Sequence, residues 1–171
     1  MNTTIQLQEL SLEVHPITHK DLDAILHVYK QCEDFLALGP VPVASMEMVL
    51  KDIEMSENEG GILCGIYKAD GEMIGVIDYV PSPYKGEPSQ TFLELLMIAA
   101  PYRNRGIGKL VVESIETEIR RDEKVSVILS GVQVNNPKAI RFWQRNEYRI
   151  VSDPTLYPDQ TIAFGLWKDI K

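Results

Sequence analysis

Residues 93–110 read Leu93-Glu94-Leu95-Leu96-Met97-Ile98-Ala99-Ala100-Pro101-Tyr102-Arg103-Asn104-Arg105-Gly106-Ile107-Gly108-Lys109-Leu110. An apolar run of strand length meets a Pro- and Gly-bearing turn, and helical spacing begins at Ile107. Gly106 and Gly108 lack a Cβ, so the backbone is free to aim successive N–H groups into one hollow and an anion is able to approach closely. The first helical turn adds free N–H groups and the positive dipole end, and Arg103, Arg105 and Lys109 add formal charge. The stretch reads as a phosphate cradle.

Two common phosphate loops do not fit it. A P-loop needs GxxxxGK followed by Ser or Thr, whereas Arg103 stands five residues before Gly108 and Leu110 follows Lys109. A dinucleotide fingerprint needs a third glycine, and Val111 occupies that place.

Outward from the turn, the pattern predicts a short strand Leu12–Val14 and a helix capped by Thr18 with Leu22, Ile25, Leu26 and Tyr29 on one face. A second helix capped by Ser45 carries Met48, Val49 and Ile53. A hairpin follows, Ile62–Tyr67 and Met73–Val80, turning at Ala69-Asp70-Gly71-Glu72. Residues 81–90 hold three prolines and read as a loop. The remaining elements are a strand Phe92–Ala99, a helix near Ile107–Arg121, a strand Val125–Leu129, a helix near Lys138–Arg145, and strands near Tyr148–Val151 and Thr161–Trp167. The order β-α-α-β-β-β-α-β-α-β-β predicts a single α/β (α+β) domain over residues 1–171, with helices on both faces of a mixed sheet.

Composition agrees with a globular chain: 44% hydrophobic and 25% charged residues argue against disorder. The net charge of -8 speaks against nucleic acid as a partner. Its partition is uneven. Residues 101–145 hold nine Lys/Arg against five Asp/Glu, a local +4 that leaves -12 for the remainder. Cys32 and Cys64 form no CxxC, and His15, His19 and His27 lack ligand spacing, so no metal and no disulfide framework are expected. Met1–Gln8 lacks the order of a signal peptide and no stretch reaches the length of a membrane span, so a cytoplasmic chain without membrane contact is expected.

A second motif lies downstream: Val132-Gln133-Val134-Asn135-Asn136-Pro137-Lys138-Ala139-Ile140-Arg141-Phe142-Trp143, then Tyr148. Together, Arg-x-x-Gly-x-Gly after a Glu-bearing strand and Asn-x-x-Ala before an aromatic pair resemble the GNAT superfamily of acyl-CoA-dependent N-acetyltransferases, and the order of elements is similar along nearly the whole chain. The resemblance implies a mostly antiparallel sheet of about seven strands, splayed where acetyl-CoA binds. It places the CoA pyrophosphate on the turn Arg103, Asn104, Arg105, Gly106, Ile107, Gly108 and Lys109, the pantetheine arm along Met97, Ile98 and Ala99, and the opposite wall at Asn136, Ala139, Phe142 and Trp143.

An amine attacks a thioester only when neutral, while an alkylamine with a pKa near ~10.4 is protonated at pH 7. The resemblance makes Glu94 the group that takes this proton; apolar neighbours would raise its pKa toward a useful range. The family often has tyrosine at the place of Trp143 to protonate the departing thiolate. An indole N–H is a donor without an accessible acidic pKa. Tyr84, Tyr102, Tyr157 or water then remain as donors, and unassisted departure is tolerable for a thiol of pKa about 8.5.

The expected activity is acetyl transfer from acetyl-CoA to a primary amine by direct attack in a ternary complex. The acceptor side is assigned to Phe35, Leu36 and Leu38, the loop 81–90 and the turn around Tyr157. Surplus acid there, including Glu33, Asp34 and Asp78, points to a cationic small-molecule amine. Alternatives are a protein N-terminal or lysine acetyltransferase and a non-catalytic acyl-CoA sensor. The resemblance also makes a homodimer the assembly to test.

Overall fold

The computed structural model describes residues 4–7, 11–157 and 159–171. Met1–Thr3 and Gln8, part of the stretch read for targeting, lie outside them. Among the described residues one mixed α/β domain forms around a nine-stranded sheet of order β1-β2-β3-β4-β5-β6-β9-β7, with β8 also paired to β9. The strands are β1 (Ile5–Leu7), β2 (Leu12–Pro16), β3 (Ile62–Lys68), β4 (Met73–Val80), β5 (Gln90–Ile98), β6 (Val127–Gln133), β7 (Arg149–Ile150), β8 (Thr155–Leu156) and β9 (Ile162–Asp169). The helices are α1 (Leu22–Lys30), α2 (Glu33–Leu36), α3 (Met46–Asn58), α4 (Ile107–Ile119) and α5 (Pro137–Arg145). All strand pairs are antiparallel except β5 with β6.

Each sheet face buries its own cluster. Ile25, Val28 and Tyr29 of α1 and Val49 of α3 pack with Leu63, Val76 and Met97. On the other face Ile107, Val111 and Ile115 of α4 pack with Ile77, Leu93, Ile128 and Leu166. The period-two alternation of strands and the 3.6-residue period of helices put these residues on matching faces. The sheet hands residue after residue to alternate layers, and the break in that alternation at Glu94 builds the site.

Most predicted elements are present, but the sheet has nine strands where about seven are implied, and some caps and bounds differ. Asp21 rather than Thr18 stands at the N-cap of α1. Thr18 donates its N–H and hydroxyl to Asp21 Oδ2 at 2.6 and 2.7 Å, which makes residues 18–21 a turn before the helix. Ser45 does cap α3, accepting from Met48 N at 3.2 Å. β6 begins two residues later than expected and runs through Ser130-Gly131 to Gln133, because Val125 N turns back to Asp122 O and pairing with β9 carries the strand past the glycine. β1, β8 and α2 are too short to show a period.

Candidate active site

The parallel pairing of β5 with β6 stops early. Register runs from Gln90↔Val127 to Leu93↔Ser130, and the Ser130 hydroxyl donates to Leu93 O at 2.8 Å. Beyond this point β5 stays with β4 as far as Ile98↔Gly75, while β6 stays with β9 as far as Gln133↔Ala163. The sheet therefore forks. The edge of β5 that faces the gap is suited to an extended, peptide-like chain joining as an added strand. Met97 and Ala99 are buried there. The far end of the edge is partly closed, since Arg103 Nε donates to Ile98 O at 2.7 Å and Cys32 Sγ reaches the same oxygen at 3.5 Å.

At the end of β5 the chain turns through Ala100–Tyr102 and takes left-handed backbone at Asn104 (φ +61°) and Gly106 (φ +79°) before entering α4. Gly106 is needed for its conformation, because a Cβ there would meet nothing within 4 Å. Gly108 is needed for space: its Cβ would lie 3.3 Å from Phe142 Cε2 and 3.9 Å from Leu96 Cδ2. Leu96, Gly108 and Phe142 thus meet where the open edge of β5, the start of α4 and the body of α5 converge. The first-turn N–H groups of α4, those of Ile107 and Gly108 among them, have no carbonyl one turn earlier inside the helix.

The basic side chains of this turn are differently employed. Arg105 is exposed, with its guanidinium 5.7 Å from the Tyr102 ring centre, and exposed Lys109 pairs with Glu113 at 2.8 Å. Arg103 turns toward α2, where Nη2 is 3.0 Å from Asp34 Oδ1, and Nη2 also reaches Gln31 O at 3.5 Å. Hydrogen bonding to Arg103 holds the Asp34 carboxyl below its ordinary range. Arg103 therefore joins the turn to the α1–α2 segment.

In α5, Asn136 is the N-cap and its side chain accepts from Ala139 N at 3.0 Å. Ala139 and Phe142 are half-buried against the α4-side core. Trp143 is 8% exposed and lies edge-on to Phe142 and Tyr148 at centroid distances of 5.2 and 4.8 Å. Its ring belongs to the core, while Phe142 is the aromatic that meets Gly108.

Glu94 is the extra residue of a β-bulge: Leu95 pairs with Asp78 and Leu93 with Tyr79, leaving Glu94 without a register partner on β4. The packing shows the same insertion. Leu93 belongs to the α4-side core and Leu95 packs on the α1/α3 side, although residues two apart in a regular strand share a face. Solvent reaches Glu94, yet it stands in a crowded mouth that raises its pKa to about 7, through desolvation first, then the charges of Glu59, Asp78 and Asp159, opposed by Lys85. Burial likewise raises Asp78 to about 6, against the lowering effect of the hydrogen bond from Ser56 Oγ at 2.9 Å.

The expected acceptor elements divide. Tyr84, Lys85, Phe92, Leu129, Ser130 and Tyr157 line a cleft of about 380 Å³ beside the fork. Tyr84 stacks on Phe92 at 4.8 Å, and the Tyr157 hydroxyl lies 4.0 Å from where a Cβ on Gly131 would stand. Tyr102 instead donates to Glu72 Oε1 at 2.7 Å. Phe35 and Leu36 pack into the α1/α3 core, and Leu38 O accepts from Asn135 Nδ2 at 3.0 Å. Glu33 is engaged by Ala44 N at 3.0 Å and Asp34 by Arg103, so the acid around Glu94 comes from Glu59, Asp78 and Asp159. In the sequence, Asp78 stands out only as surplus charge. A lone carboxylate inside Met73-Ile74-Gly75-Val76-Ile77-Asp78-Tyr79-Val80 was the available signal. Among the described residues no group of three His, Cys, Asp or Glu is arranged to hold a metal, and no helix is long and apolar enough to cross a membrane.

Comparison with known proteins converges with this geometry. The chain is similar in fold to an acetyltransferase from Thermus thermophilus, with TM-score 0.79 and 23% identity over 94% of this chain and 98% of that one. It is similar to the Salmonella typhimurium acetyl transferase that modifies the N-terminal serine of ribosomal protein L7/L12, with TM-score 0.78 and 15% identity over 99% and 100%. The spermidine N-acetyltransferase of Vibrio cholerae in complex with CoA and spermine gives TM-score 0.70 and 12% identity over 93% and 95%. No curated protein sequence matches. The acetyltransferase (GNAT) family model matches residues 22–148, which is most of the chain. A forked sheet, a glycine turn opening α4 and an Asn-capped α5 thus coincide with the matched region, and the chain belongs to the GNAT family of acetyltransferases.

Proposed function

We propose that the protein transfers an acetyl group from acetyl-CoA to the amine of a cationic small molecule, with Glu94 as the base. The observation that carries this reading is the Glu94 carboxyl, set at the bulge beside the fork with Asp78, Glu59 and Asp159 around it. A cationic amine is attracted to such a mouth, and a base with a pKa near the working pH is able both to accept a proton and to release it.

The residues present fit CoA. The first turn of α4, Gly106 to Lys109, would hold its pyrophosphate, with Arg105 alongside, and Met97 to Ala99 would pair with its extended arm between β5 and the Phe142 wall. CoA supplies the acetyl thioester. Glu94 takes one proton from the ammonium, the freed nitrogen lone pair attacks the acetyl carbonyl carbon, and as the C–S bond breaks the nitrogen loses its second proton, which replaces the one given to the departing sulfur, so that amide and thiol are left. Trp143 is shut in the core. Tyr157 at the cleft is then the side chain we assign to protonate the sulfur.

CoA release across a panel of amines tests the acceptor class. Turnover should rank di- and monocationic small amines above peptides presenting free N-termini or lysines, and above neutral or anionic amines. A preference for peptides would replace this reading with protein acetylation.

A further inference from the structure

The mechanism uses Glu94 and leaves unexplained a second carboxyl that the fold places beside it. Asp78 is 4% exposed in the middle of β4, where its register partner is Leu95, the residue after the bulge. Its neighbour Val76 packs into the α1/α3 core, and Asp78 points to the same face, as its hydrogen bond with Ser56 of α3 shows. The fold makes room for that bond. Gly61 N donates to Ser56 O at 2.7 Å, and a Cβ on Gly61 would come within 2.5 Å of Ser56 Oγ and 3.2 Å of Asp78 Oδ1. A buried carboxyl with no cationic partner would be replaced by an apolar residue at little cost to the fold.

Resting on Glu94 as the base, we propose that Asp78 is a positioning residue for acetyl transfer: anchored by Ser56 and closed to solvent, it holds a second carboxyl in a fixed place against Glu94 across the bulge, and its negative charge raises the pH at which Glu94 gives up a proton and so tunes Glu94 as the base. Asp78 and Glu94 raise each other's affinity for protons, so the charge that Asp78 carries acts on Glu94. Glu94 is also faced by Glu59 from the end of α3, Asp159 from the turn before β9, and Lys85 and Tyr84 from the loop between β4 and β5. Asp78 is faced by Asp52 and Ser56 of α3, Glu59 just after it, Tyr29 of α1, Cys64 of β3 and Tyr79 on its own strand. Glu59 and Asp159 sit at the exposed rim. Asp78 is the carboxyl of this group that is buried, at the register position next to the bulge.

Asp78→Asn tests this, since an amide oxygen still accepts from Ser56. The side-chain carboxyl of Glu94 is followed by carbon-13 NMR against pH, and the acid limb of kcat/KM is recorded in parallel. The Glu94 midpoint should move to lower pH by at least about 0.5 unit, the direction expected on removing a like charge, and the acid limb should follow it. An unmoved midpoint in a variant whose denaturation curve shows it folded overturns the proposal. A shifted midpoint upholds the pair even if Glu94→Gln retains the acid limb, a result that would instead remove Glu94 as the base. Ser56→Ala supplies a second variant: loss of its hydrogen bond raises Asp78, so Asp78 should ionise at higher pH and the Glu94 curve should change with it.

Discussion

The Phe142 ring lies against Gly108, 3.3 Å from the position a Cβ would take there, so the start of α4 and the body of α5 touch through a missing side chain. Gly108→Val would push Phe142 out of this contact at a cost of about 1–3 kcal/mol and spoil the wall beside the fork. CoA affinity measured by calorimetry should fall by about tenfold or more, as expected for a loss of that size. Full affinity in a folded Gly108→Val protein would remove Phe142 from the cofactor wall.

Gly106 makes a different demand. At φ +79° with open space around it, Gly106→Ala meets no clash and should cost about 1–2 kcal/mol through backbone strain alone. Thermal denaturation should show this loss with and without CoA.

Glu116 is buried in α4, accepting from Tyr148 Oη at 3.0 Å and from Lys168 Nζ at 2.9 and 2.8 Å. Glu116→Ala leaves the buried Lys168 ammonium with only the exposed Glu147 at 3.6 Å, and urea denaturation should show a loss of about 3 kcal/mol. Replacing both, Glu116→Leu with Lys168→Met, should recover much of it. A single variant as stable as the parent would show that this network does not hold α4 to β9.

Asp78 and Glu94 give stability a pH dependence of definite sign. Both folded-state pKa values are raised, from 3.8 to about 6 and from 4.5 to about 7, so the folded protein binds protons more tightly than the unfolded chain. Their contribution is fully present below about pH 4 and is lost as pH rises through 6 to 7. For buried Asp78 the loss is on the order of 2 kcal/mol; for Glu94, in contact with solvent, it is smaller. Denaturation midpoints of Asp78→Asn should be flatter over this range than those of the parent, and an equal slope would contradict the assignment.

Tyr157→Phe examines the departing sulfur. If Tyr157 supplies its proton, kcat should fall by roughly 10²-fold with acetyl-CoA and by much less with acetyl thioesters of more acidic thiols. An equal loss with every thioester would make Tyr157 an acceptor-binding residue. The thiol of CoA bound to the enzyme, titrated by its thiolate absorbance, should also ionise at higher pH in Tyr157→Phe.

The sequence revealed the fold through long periodic elements and through local rules: α3 with its Ser45 cap, the Asp70-Gly71 hairpin, and α4 opened by Gly106. The family resemblance implied a splayed sheet, but the point at which the fork opens and the bulge at Glu94 were not legible from the residue pattern. A run such as Phe92–Ile98 carries no mark of which residue is inserted, because that depends on register with β4, and the splay depends on where β6 leaves β5. Side-chain direction was hidden for the same reason. Arg103 looks like part of an anion site in sequence, yet it closes on Asp34, 69 residues away, and Trp143 looks like a site aromatic yet is locked between Phe142 and Tyr148. Motif spacing located the turn and the Asn cap, and tertiary packing decided which of their side chains face the gap.

The most direct measurement is the pH profile of kcat/KM for the best cationic amine, in the parent protein and in Glu94→Gln. The parent should rise from the acid side with a midpoint near 7, and Glu94→Gln should lose that limb together with roughly 10²-fold in rate while binding CoA as before. A Glu94→Gln enzyme with the parent's rate and profile would contradict Glu94 as the base.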